Sequence, residues 1–254
     1  MLREILATDV FKLFLLLARL GGAVMLFPGI GSGTVSLRVR LLFTVAVAYL
    51  LLPVISPQLP AMPADLISMV LLISSEAAIG IFFGVFLQFL LAALDLAGNF
   101  IGYSVGLTNA FTVDPITEQQ SQVITGFLNL TALTLIFLTN THHLMLRGLV
   151  DSYTLFRPGE SLPVADFADT LVHVLGESFL VGVQLAAPLL VFALTFNTAL
   201  GLLNRLVPQM QVFFVGMPVQ ILLGFYVIMI ALPAMMLWFL RHFTDGVVPM
   251  LAPG

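Results

Sequence analysis

Apolar residues fill this chain in six long runs, separated by short polar or proline-rich intervals. The first, Val10 to Leu26, carries Lys12 and Arg19 and ends at the flexible Pro28-Gly29-Ile30-Gly31-Ser32-Gly33. The second, Leu41 to Ile55, follows Arg38 and Arg40 and stops at Pro53 and Pro57, before a proline-rich connector to Pro63. Leu66 to Ala97 is the third and holds no proline. As a helix it would be about 48 Å long, against about 30 Å for a bilayer core. Ordinary tilt does not absorb the difference. Either this helix projects out of the membrane, or it breaks near Ser74-Ser75-Glu76. Glu118 to Asn140 is the fourth run. The fifth, Phe167 to Leu203, is again over-long and contains Pro188, a site for a kink. The sixth, Val212 to Leu240, contains Pro218 and Pro233 and closes on an aromatic and basic boundary of interfacial type, Trp238 to His242. Asp151 to Asp169 reads as the most hydrophilic connector.

Composition turns this pattern into a class. Of 254 residues, 60% are hydrophobic and 9% charged, and the mean hydropathy is +1.11. A soluble domain is about 25% charged. The pattern therefore predicts an all-α, polytopic membrane-type protein built of long kinked helical hairpins, with residues 1–254 as a single domain. No length remains for a soluble catalytic domain. The absence of cysteine excludes thiolate catalysis, disulfides and cysteine-ligated metals. Nine scattered basic residues and a net charge of −4 offer no surface for nucleic acid. Lys12 is the one lysine, and no phosphate loop, HExxH or G-x-S-x-G is present, so neither an enzyme nor a cofactor is expected. His142 and His143 are adjacent and should point to different sides of a helix, which does not suit a metal. The N-terminal MLREILATDVFK mixes acids with bases, unlike a signal peptide, and is expected to be retained. Six runs put both termini on one side, and the basic residues divide too evenly to set an orientation.

Four charges sit in or beside the apolar runs: Glu76, Asp95, Glu177 and Arg205. Each costs roughly 2.5–3.5 kcal/mol at the centre of a membrane helix, so each wants a partner or water. The roles open to them are a proton relay, or ion pairing and amide bonding between helices or subunits. Gln184 lies seven residues after Glu177, on the same helix face. Gly80 and Gly84, then Gly98, Gly102 and Gly106, recur at intervals of four, which lets helix backbones approach closely within the chain or between subunits. Ser121, Thr125 and Asn129 form a polar stripe at the same interval. The polar interval from Gly106 to Gln122 is long enough to suggest function. It places Phe111 and Val113 among polar residues and an Asp114-Pro115 turn after Thr112. A second polar elbow, Asn204 to Gln211, joins the last two runs.

That elbow and its surroundings, NRLVPQMQVFFVGMP, resemble the C-terminal signature of the FliR family of flagellar export-gate proteins. RVRLLFTVAVAYLLLP and GLTNAFTVDPITEQQSQVITGFLNLTALTLIF are similar to the family's first and middle blocks, in the same order. The resemblance implies a core subunit of the export gate of a type III secretion system in the bacterial inner membrane. Its partners would be FliP-like and FliQ-like subunits, an FlhB-like subunit, membrane lipid and the exported unfolded flagellar proteins. It implies a FliP-like portion over about 1–175 fused to a FliQ-like hairpin over about 176–254. Asn204, Arg205, Pro208 and Gln209 would form the hairpin elbow. Phe111, Thr112, Val113, Asp114 and Pro115 would plug the conduit. The gate would project partly to the periplasmic side of the flagellar basal body, which would explain helices longer than a bilayer. Asn140-Thr141-His142-His143 departs from the family's Asn-Gly-His-like run and leaves that turn's geometry open. A secondary transporter coupled through Glu76, Asp95 or Glu177 is the competing class, and the chain lacks the internal repeat such a fold often shows.

Overall fold

The computed structural model describes residues 2–31, 35–106, 122–160, 162–206 and 212–251. The described residues form seven α-helices and two short 3-10 turns, with no strand. The helices are α1 (Leu2–Val24), α2 (Leu37–Ile55), α3 (Leu66–Val105), α4 (Gln122–Leu138), α5 (Thr141–Leu155), α6 (Val164–Leu206) and α7 (Val212–Val247). The protein is an all-α polytopic membrane protein. Four stretches are long and apolar enough to cross a bilayer: Leu37–Gln58, Leu66–Val105, Val164–Leu206 and Gly216–Met250. The pair α4 and α5 can supply a fifth, broken span.

The residues divide into two compact units that interleave along the sequence. One comprises Met1–Leu90, Asn140–Val174 and Thr244–Gly254, and the other Leu91–Thr139 and Leu175–Phe243. In the first, α1 buries Phe11, Leu15, Leu16, Leu20, Ala23 and Val24. Their spacing follows the 3.6-residue helix period, so one face of α1 is the core face. Lys12 Nζ donates to Ser56 O at 3.1 Å and Oγ at 2.9 Å, tying α1 to the turn that ends α2. Phe82 stacks on Phe167 with centroids 4.0 Å apart, and Phe156 stands edge-on to Phe167 at 5.0 Å, which pins the turn between α5 and α6. In the second unit, Ala93, Leu94, Ala97 and Ile101 of α3 and Leu128, Ala132 and Ile136 of α4 are fully or almost fully buried.

α3 is unbroken across Ser74-Ser75-Glu76. The hydroxyls of Ser74 and Ser75 bond back to Leu71 O and Leu72 O, so these side chains do not compete with the helical backbone. With 40 residues α3 is about 60 Å long, and α6, with 43, about 65 Å. α6 runs through Pro188, and α7 through Pro218 and Pro233.

Two further expectations change. The interval after Asn140 is a helix, α5, and the connector to α6 shrinks to residues 156–163. Thr141, Met145, Gly148, Leu149, Ser152 and Tyr153 are the buried positions of α5, spaced as one helix face, while His143, Arg147 and Thr154 are exposed. Asn140 turns the chain into α5 with a left-handed φ of 59°. At the start of α5 the rings of His142 and His143 meet, with centroids 4.2 Å apart. Their backbone directions differ by about 100°, yet the side chains turn toward each other.

Much apolar surface stays uncovered. Of the most apolar stretch of Leu37–Gln58, 17% is buried, against 56% for Leu66–Val105. The corresponding stretch of Gly216–Met250 is 22% buried. α3 is therefore the chain's own core helix, and the last helix and α2 present their side chains outward.

Candidate functional site

The densest polar site is a clamp inside the first unit, centred on Arg19. Its Nε donates to Glu76 Oε2 at 2.7 Å and its Nη2 to Oε1 at 3.0 Å. Nη1 donates to Ser152 O at 3.0 Å and to Ser152 Oγ at 3.2 Å, and Nη2 also donates to Phe156 O at 2.9 Å. These five bonds use all five N–H groups of a guanidinium. Both side chains of the ion pair are 0% exposed. The Tyr153 ring faces the guanidinium carbon at 4.0 Å. Ser152 O and Phe156 O belong to the last turn of α5 and the residue after it. Arg19 therefore also caps the carbonyl end of that helix, where a cation is favoured. The Tyr153 hydroxyl is buried without a hydrogen-bond partner among the described residues.

Glycine sets the spacing that the clamp needs. A β-carbon on Gly80 would overlap the carbonyl oxygen of Arg19 itself, and one on Gly84 would lie 2.6 Å from Leu26 Cβ. α1 and α3 thus touch backbone to backbone beside the ion pair. In the second unit a β-carbon on Gly98 would lie 2.6 Å from Thr125 Cα. One turn away, Asn129 Nδ2 donates to Asp95 Oδ1 at 2.6 Å. Residue numbers rise on α4 as they fall on α3 across these contacts, so the two helices are antiparallel here. Gly102 is buried in α3. Gly106 ends α3 with φ +80°, beside Gln220, whose Nε2 donates to Ser104 O at 2.9 Å.

The remaining sequence-selected residues stand apart from these sites. Glu177, Gln184, Asn204 and Arg205 are exposed on α6. Pro208 and Gln209 of the elbow lie outside the described residues. So do Phe111, Thr112, Val113, Asp114 and Pro115, and so does Ser121 of the polar stripe. Among the described residues no group of His, Asp or Glu side chains is arranged to hold a metal ion.

Sequence reasoning did not single out Arg19, Ser152, Tyr153 or Phe156. The signal for Arg19 was present, as an arginine in the middle of an apolar run. Its partners were hidden because Ser152 and Tyr153 fall where the chain reads as a connector.

Long apolar helices, internal polar contacts and glycine-mediated helix contacts define a polytopic α-helical membrane protein. The model of the family described as bacterial export proteins, family 1, matches residues 10–246. The flagellar biosynthetic protein FliR of Caulobacter vibrioides is 35% identical over 237 residues, which cover 93% of this chain and 94% of that protein. FliR of Escherichia coli K12 is 33% identical over 228 residues, covering 89% and 85%. FliR of Aquifex aeolicus is 30% identical over 247 residues, covering 94% and 92%. The chain belongs to this FliR family of bacterial export proteins, whose members are membrane-embedded components of the flagellar export apparatus.

Proposed function

We propose that this chain is a core subunit of the flagellar type III export gate. With FliP-like and FliQ-like subunits it forms the closed conduit through which unfolded flagellar proteins cross the inner membrane, and an FlhB-like subunit contacts that gate. The observation that carries this reading is the uncovered apolar surface on helices about twice as long as a bilayer core. α6 and α7 leave most of their most apolar stretches unburied. Surface of that length finds an apolar environment only partly in lipid, and sister subunits supply the rest.

In this reading residues 1–175 are the FliP-like portion and 176–254 the FliQ-like hairpin, with Asn204, Arg205, Pro208 and Gln209 at its elbow. The gate projects from the inner membrane toward the periplasm. Phe111 and Val113 give the plug apolar bulk, Thr112 lies between them, and Asp114-Pro115 sets the direction of the loop. Glu177 and Gln184, exposed on α6, face neighbouring subunits. The role is mechanical and not enzymatic.

Two experiments test it. The tagged chain, co-expressed with FliP-like and FliQ-like subunits, is expected to be recovered in one complex with both. Recovery of the chain alone, moving a small solute in liposomes, would falsify the reading. Deleting Ala110 to Ile116 is expected to raise small-ion leakage through the assembled gate, and unchanged leakage removes the loop from the seal.

A further inference from the structure

Asp95 is an exposed carboxylate on α3, a helix long and apolar enough to cross a bilayer. Among the described residues no cation pairs with it. Its Oδ1 accepts from Asn129 Nδ2, while Asn129 Oδ1 is buried without a partner. The Asn129 amide is thus committed to the carboxylate although its own oxygen goes unsatisfied, which fixes the direction of the acid. Asn99, one turn further on, is also exposed, and its side-chain amide is turned back onto Asp95 O. It offers the carboxylate no donor.

The same two helices leave large side chains uncovered. Tyr103 on α3 and Val123, Phe127 and Leu130 on α4 are at least half exposed. Uncovered large apolar and aromatic side chains on these two helices have the make-up of the centre of a protein interface, where an acid is the exception and needs a partner. Lipid chains cannot accept the charge. Apolar packing around an unpaired anion is unfavourable unless the covering surface brings a positive group.

We infer that the Asp95 face of α3 and α4 is a docking surface for a helix of a neighbouring gate subunit, which places a lysine or arginine side chain against Asp95. The inference rests on the gate-subunit reading and names the chemistry of one of its contacts. Asn129 is the positioning residue, and the Gly98–Thr125 approach holds the two helices close enough for it to reach.

The natural chain has no cysteine, so a single introduced thiol reports on this face alone. Asn99→Cys is placed in the chain co-expressed with the FliP-like and FliQ-like subunits, and the purified complex is treated with a water-soluble maleimide. The thiol is expected to be protected in the complex and labelled after denaturation. In parallel, Asp95→Lys is expected to lower the yield of complex more than about tenfold, while the amount of the chain in the membrane stays unchanged and Asp95→Glu retains assembly. Protection together with that loss supports the proposal. Labelling in the intact complex overturns it, because the face then meets water. Protection with normal yield of Asp95→Lys, or loss of the lysine variant from the membrane while Asp95→Leu assembles normally, also overturns it, because whatever covers the face then carries no cation. If the parent chain fails to join the complex at all, it is the gate-subunit reading that falls.

Discussion

Arg19 and Glu76 meet side-on in a two-pronged ion pair that water does not reach, with both side chains 0% exposed. The pair joins α1 to α3, and the remaining guanidinium donors join both to the end of α5. Burying two charges has a desolvation cost of several kcal/mol per ion, which the pairing and the carbonyl bonds offset. Breaking the pair from one side leaves the other charge stranded. Arg19→Met and Glu76→Leu are each expected to destabilise the chain by about 3–5 kcal/mol, and the double variant by much less than the sum. Thermal melting of the detergent-purified protein measures this; additive losses would show that the two residues act separately.

Tyr153 invites the opposite experiment. Its ring contributes through the face it turns to Arg19, and its hydroxyl is buried with nothing to bond among the described residues. Tyr153→Phe keeps the ring and removes the unsatisfied group. The variant is expected to be as stable as the parent or more stable, by up to about 1–3 kcal/mol. A clear fall in melting temperature would reveal a partner for the hydroxyl.

The glycines divide into two kinds with opposite expected signs. Gly80→Ala puts a methyl group into the Arg19 carbonyl, so α1 and α3 must separate at the clamp. A loss of about 1–3 kcal/mol is expected. Gly126 has nothing within 4 Å of an added β-carbon. Gly126→Ala should be neutral or stabilising, by up to about 1 kcal/mol from helix propensity. Comparing the two melting curves checks both at once.

Arg205 is exposed near the end of α6. Arg205→Glu is expected to leave the amount of folded chain in the membrane unchanged and to reduce the co-purified complex. The charge reversal also worsens the interaction with the carbonyl end of α6, by about 0.3–1 kcal/mol, too little to unfold the chain. Normal complex yield would remove Arg205 from the assembly surface.

The long apolar runs were legible because their signal is dense. α3, α6 and α7 carry it over 36 to 43 residues. α5 was not, because half of its residues are polar and its signal lies only in the spacing of Thr141, Met145, Leu149 and Ser152. Glu76 and Asp95 stood out as acids in apolar surroundings. What the sequence could not supply was the distant partner: Arg19 reaches Phe156, 137 residues away, through the fold alone. The stripe that runs through Thr125 and Asn129 was visible, yet its pairing with Gly98 and Asp95 depends on the direction in which α4 returns.

The clamp also has a timetable. Arg19 leaves the ribosome first, Glu76 follows 57 residues later, and Phe156 only after 137. At about 5–20 residues per second, the guanidinium waits on the order of ten seconds for its last acceptor. Until then the nascent chain holds a charged group whose donors are partly idle in a greasy environment. Synthesis order therefore dictates closure order, and a pause between Glu76 and Phe156 would prolong the one interval in which the opening helix is secured at a single end.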